Sequence, residues 1–177
     1  GPLEVFLGEP HMEMQPLFED ERHPNVVVTL EGTVLATWGD TSVLARRSED
    51  GGKTWGEKIT IASPGFTGGG TTVDDTTGDI LAFVEDEHPP APLTVYRSQD
   101  DGKTWHPDKV TIYPDSNGNV PSMHMNEHGI TLRHGKHAGR IIRAARHYAG
   151  SNEKIKGSPE LIRSNKQYTT AIYSDDG

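Results

Sequence analysis

Short runs of Val, Leu, Ile and Thr recur along the chain, with turn residues between them. Apolar or alternating runs bounded by Gly, Pro, Asn or Asp predict β-strands. No segment sustains the helical apolar period of about 3.6 residues, and Gly or Pro interrupts nearly every longer stretch, so an all-β chain is expected. The predicted strands fall in three sets, at 25–30, 32–38, 42–47 and 58–62; at 70–73, 79–84, 93–97 and 109–112; and at 129–132, 140–145 and 170–173.

A short motif recurs among these strands. It reads Ser-Glu-Asp-Gly-Gly-Lys-Thr-Trp at 48–55 and Ser-Gln-Asp-Asp-Gly-Lys-Thr-Trp at 98–105, and a third copy begins at Ser174. In each copy the Asp can bond downstream backbone N–H groups, Gly permits a positive φ, and Trp can cover the turn with apolar surface. Each motif falls between the third and fourth strands of its set. Four-stranded units of about 40 to 50 residues predict the antiparallel blades of a β-propeller.

The repeated turns resemble the Asp boxes (BNR repeats) of the sialidase (neuraminidase) superfamily, and the resemblance begins at about Arg22. Arg22-His23-Pro24 is similar to the Arg-Ile-Pro that opens the first sialidase blade, and segments 71–80, 126–132 and 139–145 resemble segments of later blades. The resemblance implies a six-bladed propeller, of which residues 1–177 would form the N-terminal half. The implied boundaries are 22–62 for blade 1, 66–112 for blade 2 and 122–177 for an incomplete blade 3. A second polypeptide or a second copy of the chain would then complete the propeller.

Composition narrows the range of partners. The formal charge of −9 disfavours nucleic acid, because tracking a polyphosphate backbone requires a basic face. No apolar run approaches the roughly 18 residues of a membrane-spanning helix, so no membrane span is expected. The absence of Cys does not fix the compartment. A secreted or periplasmic location is favoured, with any signal peptide lying outside this sequence.

The resemblance assigns side chains on the first blade. Arg22 corresponds to one of three Arg residues that bind the substrate carboxylate in sialidases, and a planar guanidinium matches a carboxylate bidentately. His23 replaces the apolar residue that usually follows this Arg and is expected to contact substrate. Asp40 is the one carboxylate in the loop that carries the sialidase general acid. The family's nucleophilic Tyr, its Glu partner and the other two Arg residues would lie on later blades.

Histidine is concentrated late in the chain, with five of the nine between positions 124 and 147. His124 and Glu127 precede the first strand of blade 3, and His147 and Tyr148 follow its second strand, so all four are expected near the mouth of the propeller. Imidazole and phenol groups suit proton transfer near neutral pH. The candidate catalytic residues are Asp40, His124 and His147, and the candidate substrate-binding residues are Arg22, His23, Glu127 and Tyr148.

Three functions fit these residues. The leading hypothesis is a sialidase-like exo-glycoside hydrolase that removes an acidic sugar, such as sialic acid, from an oligo- or polysaccharide. A polysaccharide lyase acting on uronic acid residues is an alternative, since Arg22 could neutralise the charge that builds beside the carboxylate. The third is a non-catalytic Asp-box propeller that binds glycan or protein. No cofactor is expected. No metal is expected either, because His124 and His128 are too far apart on a strand to share an ion without a bend.

Three further features border the predicted mouth. Trp38 could stack on a sugar ring, although core packing is the favoured role. The loop 85–92 contains Glu85 and could border the pocket, with a solvated loop as the favoured interpretation. The polar insertion 149–168 is expected to be a lid or specificity loop.

Overall fold

The structure is a computed structural model that describes residues 12–19, 22–67, 69–124, 128–149 and 166–177, together with the backbone of 152–155 and 158–164. No helix within these ranges is long and apolar enough to cross a membrane. The strands are β1 (Asn25–Val28), β2 (Val34–Trp38), β3 (Val43–Ser48), β4 (Ile59–Ala62), β5 (Thr72–Val73), β6 (Ile80–Glu85), β7 (Leu93–Ser98), β8 (His106–Pro107), β9 (Pro121–Ser122), β10 (Ile130–Thr131), β11 (Ile141–Tyr148), β12 (Asn152–Ile155), β13 (Ser158–Ser164) and β14 (Gln167–Ser174).

The strands form three antiparallel four-stranded sheets, and the repeat predicted all of their strands except β9 in the third sheet. Blade 1 has the order β1-β2-β3-β4 and blade 2 the order β5-β6-β7-β8. In blade 3 the order is β10-β11-β14, and β9 also pairs with β11. The Asp boxes lie between the third and fourth strands of blades 1 and 2. These sheets confirm the all-β propeller fold.

Two predicted segments differ from the structure. The fourth strand of blade 2 is His106–Pro107, which pairs with β7, and not 109–112. The early pairing follows from Asp108, whose amide donates to Val95 O at 2.8 Å and whose carboxylate accepts from Arg97 Nε at 2.6 Å. The insertion predicted as a loop contains the antiparallel hairpin of β12 and β13.

The core lies between neighbouring blades. One buried cluster joins blades 1 and 2 and includes Leu35, Val43 and Ile80, and a second joins blades 2 and 3 and includes Phe83 and Met123. Every residue of β6 is buried, because its two faces contribute to the two clusters. This double burial explains the continuous apolar run in that strand.

Each Asp box is a locally bonded turn. Asp50 accepts from the Thr54 amide at 2.9 Å and from the Thr54 hydroxyl at 2.6 Å, and Trp55 Nε1 donates to Gly52 O at 3.1 Å. The second box, at 98–105, repeats these bonds at 2.9, 2.6 and 3.1 Å. Hydrogen bonds from Thr54 hold the pKa of the Asp50 carboxyl well below its usual range. The hydrogen bonds that the two boxes share are therefore accounted for by turn structure.

Asp101 ties the second Asp box to blade 1. Its φ is 63°, in the left-handed region that non-glycine residues rarely adopt. One carboxylate oxygen accepts from Thr29 Oγ1 at 2.5 Å, and the other accepts from Thr33 Oγ1 and Arg47 Nη2, both at 2.5 Å. Arg47 Nε also donates to the Asp101 carbonyl at 2.7 Å. The side chain thus fixes the junction between two blades.

Replacing Asp101 with Asn should lower the free energy of unfolding by about 2–4 kcal/mol, because the Arg47 guanidinium loses its charged partner in a poorly solvated site. Both side chains of this pair are only 12–14% exposed. Asn tolerates a positive φ, so the variant isolates the charge. Urea unfolding measures the effect. The matched control is Glu49→Gln, since Glu49 also pairs with Arg47, at 3.1 Å, but is 71% exposed. Equal destabilisation by the two variants would refute this account.

Candidate functional site at the end of the blades opposite the Asp boxes

The candidate side chains and the Asp boxes lie at opposite ends of the blades. An Asp box follows the third strand, whereas Arg22 precedes β1, Asp40 follows β2, and Tyr148 ends β11. Because neighbouring strands are antiparallel, the start of β1, the end of β2 and the start of β3 meet at one end of blade 1. The second strands β6 and β11 finish at the corresponding end of their blades, so Glu85 joins this set.

Arg22 and Asp40 are brought together across the first two strands. The Gly39 amide donates to Arg22 O at 2.9 Å, and Arg22 Nη1 lies 3.5 Å from Asp40 Oδ2. Gly39 is required for this turn, since its φ is 146° and a Cβ there would lie 1.8 Å from the carbonyl oxygen of Ser42. The Arg22 side chain is 64% exposed, so most of its guanidinium is open to a ligand.

Four rings pack beside this pair, and we call them the imidazole cluster: His23, Phe66, His88 and His124. The ring centroids of His88 and His124 are 4.7 Å apart, and those of His23 and His124 are 5.7 Å apart. Phe66 contacts all three imidazoles at centroid distances of 5.3–5.6 Å. His23 has a φ of 58°, a strained conformation for a residue with a side chain. The sequence did not indicate His88 or Phe66 as members.

Two imidazoles of this cluster, His124 and His23, favour the neutral form. Burial, followed by the nearby His88, His23, Arg146 and Arg22, lowers the pKa of His124 to about 4. Burial and Arg22 also lower the pKa of His23, with Asp40 acting in the opposite direction. A neutral imidazole can accept a proton at one nitrogen and donate one at the other. Among the described residues, no group of three or more His, Asp or Glu side chains is arranged to hold a metal ion.

Glu85 is a buried carboxyl group at the junction of blades 2 and 3. It is 1% exposed, and its backbone pairs with Phe66 through hydrogen bonds of 2.7 and 2.9 Å. Burial raises the pKa of Glu85 to about 7, and Ser122, the Met123 amide and Arg143 only partly offset this effect. The interpretation of this position as part of a solvated loop is wrong. The signal was available, because Glu85 directly follows the apolar run 80–84.

Tyr148 lies beside Glu85 and the His124 loop. Burial raises the pKa of the Tyr148 phenol, while hydrogen bonds from Arg146 and Ser122 act to lower it. The negative charge of Glu85 raises it further. Ser122 Oγ accepts from the His124 amide at 3.1 Å and so fixes the segment that carries His124. A weakly acidic phenol of this kind holds its proton at neutral pH and can donate it to a ligand.

His147 lies in a different set of contacts. It is 2% exposed, its ring stacks on Tyr168 with centroids 5.1 Å apart, and its Nδ1 lies 3.1 Å from Thr170 Oγ1. The Tyr168 hydroxyl donates to Asp115 and accepts from Asn119 Nδ2 at 2.8 Å. The structure therefore places His147 against Tyr168 and Thr170 in blade 3 and not in the imidazole cluster.

Two other sequence-derived positions have separate outcomes. Trp38 is 2% exposed and stacks on Phe18 with ring centroids 3.7 Å apart, which leaves it in the core and closed to a sugar ring. Glu127, a candidate substrate-binding residue, lies outside the described residues.

An open cleft of about 530 Å³ runs along the innermost strands, where Val26, Val28 and Ile130 are 53–60% exposed.

The chain is similar to known proteins in sequence and in fold. No family model matches the chain. A sialidase from Micromonospora viridifaciens is 33% identical in an alignment that covers 76% of this chain and 27% of the sialidase. The chain thus spans about a quarter of the length of this curated relative.

Two solved structures add information on the fold. The structure of an ulvan lyase of polysaccharide lyase family PL25 aligns with a TM-score of 0.53 and 14% identity, over 91% of this chain and 40% of the lyase. A GH93 α-L-arabinofuranosidase from Fusarium graminearum aligns with a TM-score of 0.40 and 17% identity, over 72% of this chain and 40% of that enzyme. The alignment with the lyase agrees with the three propeller blades and bears on the fold alone.

Proposed function

The chain belongs to the Asp-box β-propellers of the sialidase superfamily, and from this premise we propose that it acts as a glycoside hydrolase on a carboxylated glycan. The observation that carries the proposal is the pairing of the exposed Arg22 guanidinium with Asp40, 3.5 Å apart, at the end of the blades where the imidazole cluster lies. Arg22 would bind the sugar carboxylate through two parallel hydrogen bonds. Asp40 would protonate the leaving glycosidic oxygen.

Substrate binding prepares Asp40 for this task. In the free protein the Arg22 guanidinium lies 3.5 Å from the Asp40 carboxylate. A bound sugar carboxylate would compete for the same guanidinium and would leave Asp40 free to face the leaving glycosidic oxygen.

Two sialosides that differ in leaving group test the hydrolase. Asp40→Asn should reduce kcat/KM about 10²–10⁴-fold on a sialylated oligosaccharide, whose alkoxide leaving group needs a proton. The loss should be much smaller on methylumbelliferyl sialoside, because its phenolic leaving group departs without one. Asp75→Asn is the matched control, since Asp75 pairs with Arg133 at 2.7 Å near the Asp-box end. Equal losses on both substrates, or no release of sialic acid from either, would contradict the assignment.

A lyase acting on uronic acid residues is the second candidate, favoured by one observation. His124 is a neutral imidazole, and the phenol of Tyr148 and the guanidinium of Arg146 lie close to its segment. A base and a proton donor on such groups suit abstraction of the proton beside a carboxylate and protonation of the leaving oxygen. A uronate polysaccharide then yields an unsaturated product that absorbs in the ultraviolet, whereas hydrolysis does not. Glycan affinity with neither product would indicate a binding module.

The functional unit is proposed to contain a second polypeptide or a second copy of the chain. The support is the row of apolar side chains on the innermost strands, where Val26, Val28 and Ile130 are 53–60% exposed. Burying such side chains stabilises an interface. Native mass spectrometry of the purified protein identifies the assembly, and the activity assays are carried out on that assembly. A chain that remains monomeric at micromolar concentration would contradict the proposal.

A further inference from the structure

The ring of Trp38 is covered by a residue that belongs to none of the three blades. Trp38 is 2% exposed, yet it is part of neither of the two buried clusters between the blades. Side chains alternate along a strand, so Trp38 lies on the opposite face of β2 from Leu35, which packs toward blade 2. On that opposite face the ring of Phe18 stacks on Trp38, with centroids 3.7 Å apart and an angle of 27° between the planes.

Phe18 lies in a short segment, residues 12–19, which we call the strap. The strap has no regular secondary structure, and Met14 within it is 82% exposed. Besides the stack of Phe18, Gln15 Oε1 accepts from Trp55 Nε1 at 3.2 Å in an exposed hydrogen bond. Trp55 belongs to the first Asp box, so the strap lies along blade 1 from the Asp-box end to the end that carries Trp38. Segments held by few buried contacts and by exposed hydrogen bonds open at low cost in free energy.

Trp38 adjoins the candidate site through the backbone. It precedes Gly39, whose amide donates to Arg22 O at 2.9 Å, and Asp40 follows in the same turn. If Asp40 protonates the leaving oxygen, the sugar that carries this oxygen lies within reach of the turn. Carbohydrate and other small-molecule sites combine a few polar groups with aromatic surface, and an indole face offers a large apolar area for a pyranose ring.

We propose that Trp38 is the stacking platform for the sugar on the leaving-group side, and that the strap covers this platform until a glycan displaces Phe18. The leaving-group side rests on the proposed function, whereas the displaceable cover does not. Phe18 and a sugar cannot occupy the same face of Trp38, so the sugar binds only the uncovered state. The apparent affinity is therefore reduced by the fraction of molecules in which the strap is closed.

Removal of the covering ring should strengthen binding. Phe18→Ala should lower the Kd for lactose and for 3′-sialyllactose by the same factor, about 2–10-fold, because the sugar no longer competes with a ring stack. Methyl sialoside has no sugar on the leaving-group side and should bind both proteins equally. Gln15→Ala loosens the strap at its other end and should give a smaller gain. Met14→Ala is the matched control within the strap and should change nothing, since Met14 is 82% exposed.

The three tryptophans of the chain report where the strap is. In protein labelled with ¹⁵N-indole, saturation with lactose should shift the resonances of Trp38 and Trp55 and leave that of Trp105 in place. Trp55 and Trp105 hold equivalent positions in the two Asp boxes, each donating to a glycine carbonyl at 3.1 Å, but Trp55 also bonds Gln15 of the strap. A Trp55 resonance that stays unchanged at saturation would overturn the displacement of the strap.

Failure of the platform and failure of the proposed function give different results. A gain for lactose in Phe18→Ala, with 3′-sialyllactose binding no better than lactose, would contradict recognition of the carboxylate and leave the platform intact. Tighter binding of 3′-sialyllactose than of lactose, with neither Kd changed or with both raised in Phe18→Ala, would contradict the platform alone. No affinity of the native protein or of Phe18→Ala for either sugar would contradict both. Gln15→Ala, which leaves both rings in place, carries the same test if Phe18→Ala does not fold.

Discussion

Replacing Arg22 with Gln should weaken the binding of a carboxylated sugar about 30–200-fold, because a charge-assisted bidentate hydrogen bond is worth about 2–3 kcal/mol. Arg22→Lys should recover only part of this loss, since an ammonium group lacks the planar fork. The fold should survive both changes, because the Arg22 side chain is 64% exposed. The measurement is the KM or Kd for a carboxylated glycan compared with that for its methyl ester.

A matched exposed arginine separates this effect from a general loss of positive charge. Arg133 is 74% exposed and pairs with Asp75 at 2.7 Å near the Asp-box end, so Arg133→Gln should leave affinity unchanged. The methyl ester should bind native protein and Arg22→Gln almost equally. Equal weakening by the two arginine variants would indicate long-range electrostatics. The assignment of Arg22 to the carboxylate would then be withdrawn.

The pH dependence of stability should reveal two buried groups with opposite effects. The pKa of His124 is about 4 in the folded chain and 6.5 in its unperturbed state, so the unfolded chain binds more protons between these values. His124 therefore contributes stability that is present above pH 6.5 and lost as the pH falls toward 4. The pKa of Glu85 is raised from 4.5 to about 7, so its contribution is present below pH 4.5 and lost as the pH rises toward 7. The two contributions largely cancel in the native chain.

Single substitutions should expose each slope. In Glu85→Gln, the free energy of unfolding should rise by about 1–3 kcal/mol between pH 4.5 and 6.5, since the contribution of His124 remains and that of His23, whose pKa is also lowered, acts in the same direction. In His124→Asn, it should fall by a similar amount, about 1–3 kcal/mol, over the same interval. Urea unfolding at closely spaced pH values gives the profiles. The double variant should regain the nearly flat profile of the native chain, and a Glu85→Gln profile parallel to the native one would refute the account.

The interval is chosen so that other carboxylates do not obscure the result. Hydrogen bonds hold the pKa of Asp50 below its usual value of 3.8, and the pKa of Asp100 is about 2. Their contributions to stability are therefore lost mainly below pH 4.5. A steep loss of stability at lower pH in all variants would be expected from the Asp boxes and does not bear on His124 or Glu85.

Local chemistry explains which features the sequence predicted correctly. The bonds of an Asp box join residues within eight positions, such as Asp50 and Thr54, so their spacing alone indicates the turn. The strand positions were predicted from apolar runs bounded by turn residues. This local pattern marks a strand whichever strand it pairs with. The fourth strand of blade 2 was misplaced because the ionic bond between Arg97 and Asp108 fixes the pairing, and apolar pattern carries no trace of it.

The contents of the candidate site depend on long-range packing. His23, Phe66, His88 and His124 come from segments separated by more than twenty residues each, and only the arrangement of three blades brings their rings within 6 Å. A resemblance to sialidases pointed to Arg22 and Asp40, which the structure places together. It gave no indication of His88, because this residue lies in an exposed loop, where no apolar period in the sequence marks which side chains will meet.

The sequence by itself determined the blades, the Asp boxes and the family, because these depend on patterns and bonds among residues near one another in the chain. Only the tertiary structure decided the chemical state of the site. Burial at 1–5% exposure separates Glu85 and His124 from the many solvated Glu and His residues of the same chain. The exposure of a side chain sets the free-energy cost of its charged form. Burial therefore raises the pKa of an acid and lowers the pKa of a base. Burial also distinguishes His147, which is 2% exposed and stacks on Tyr168.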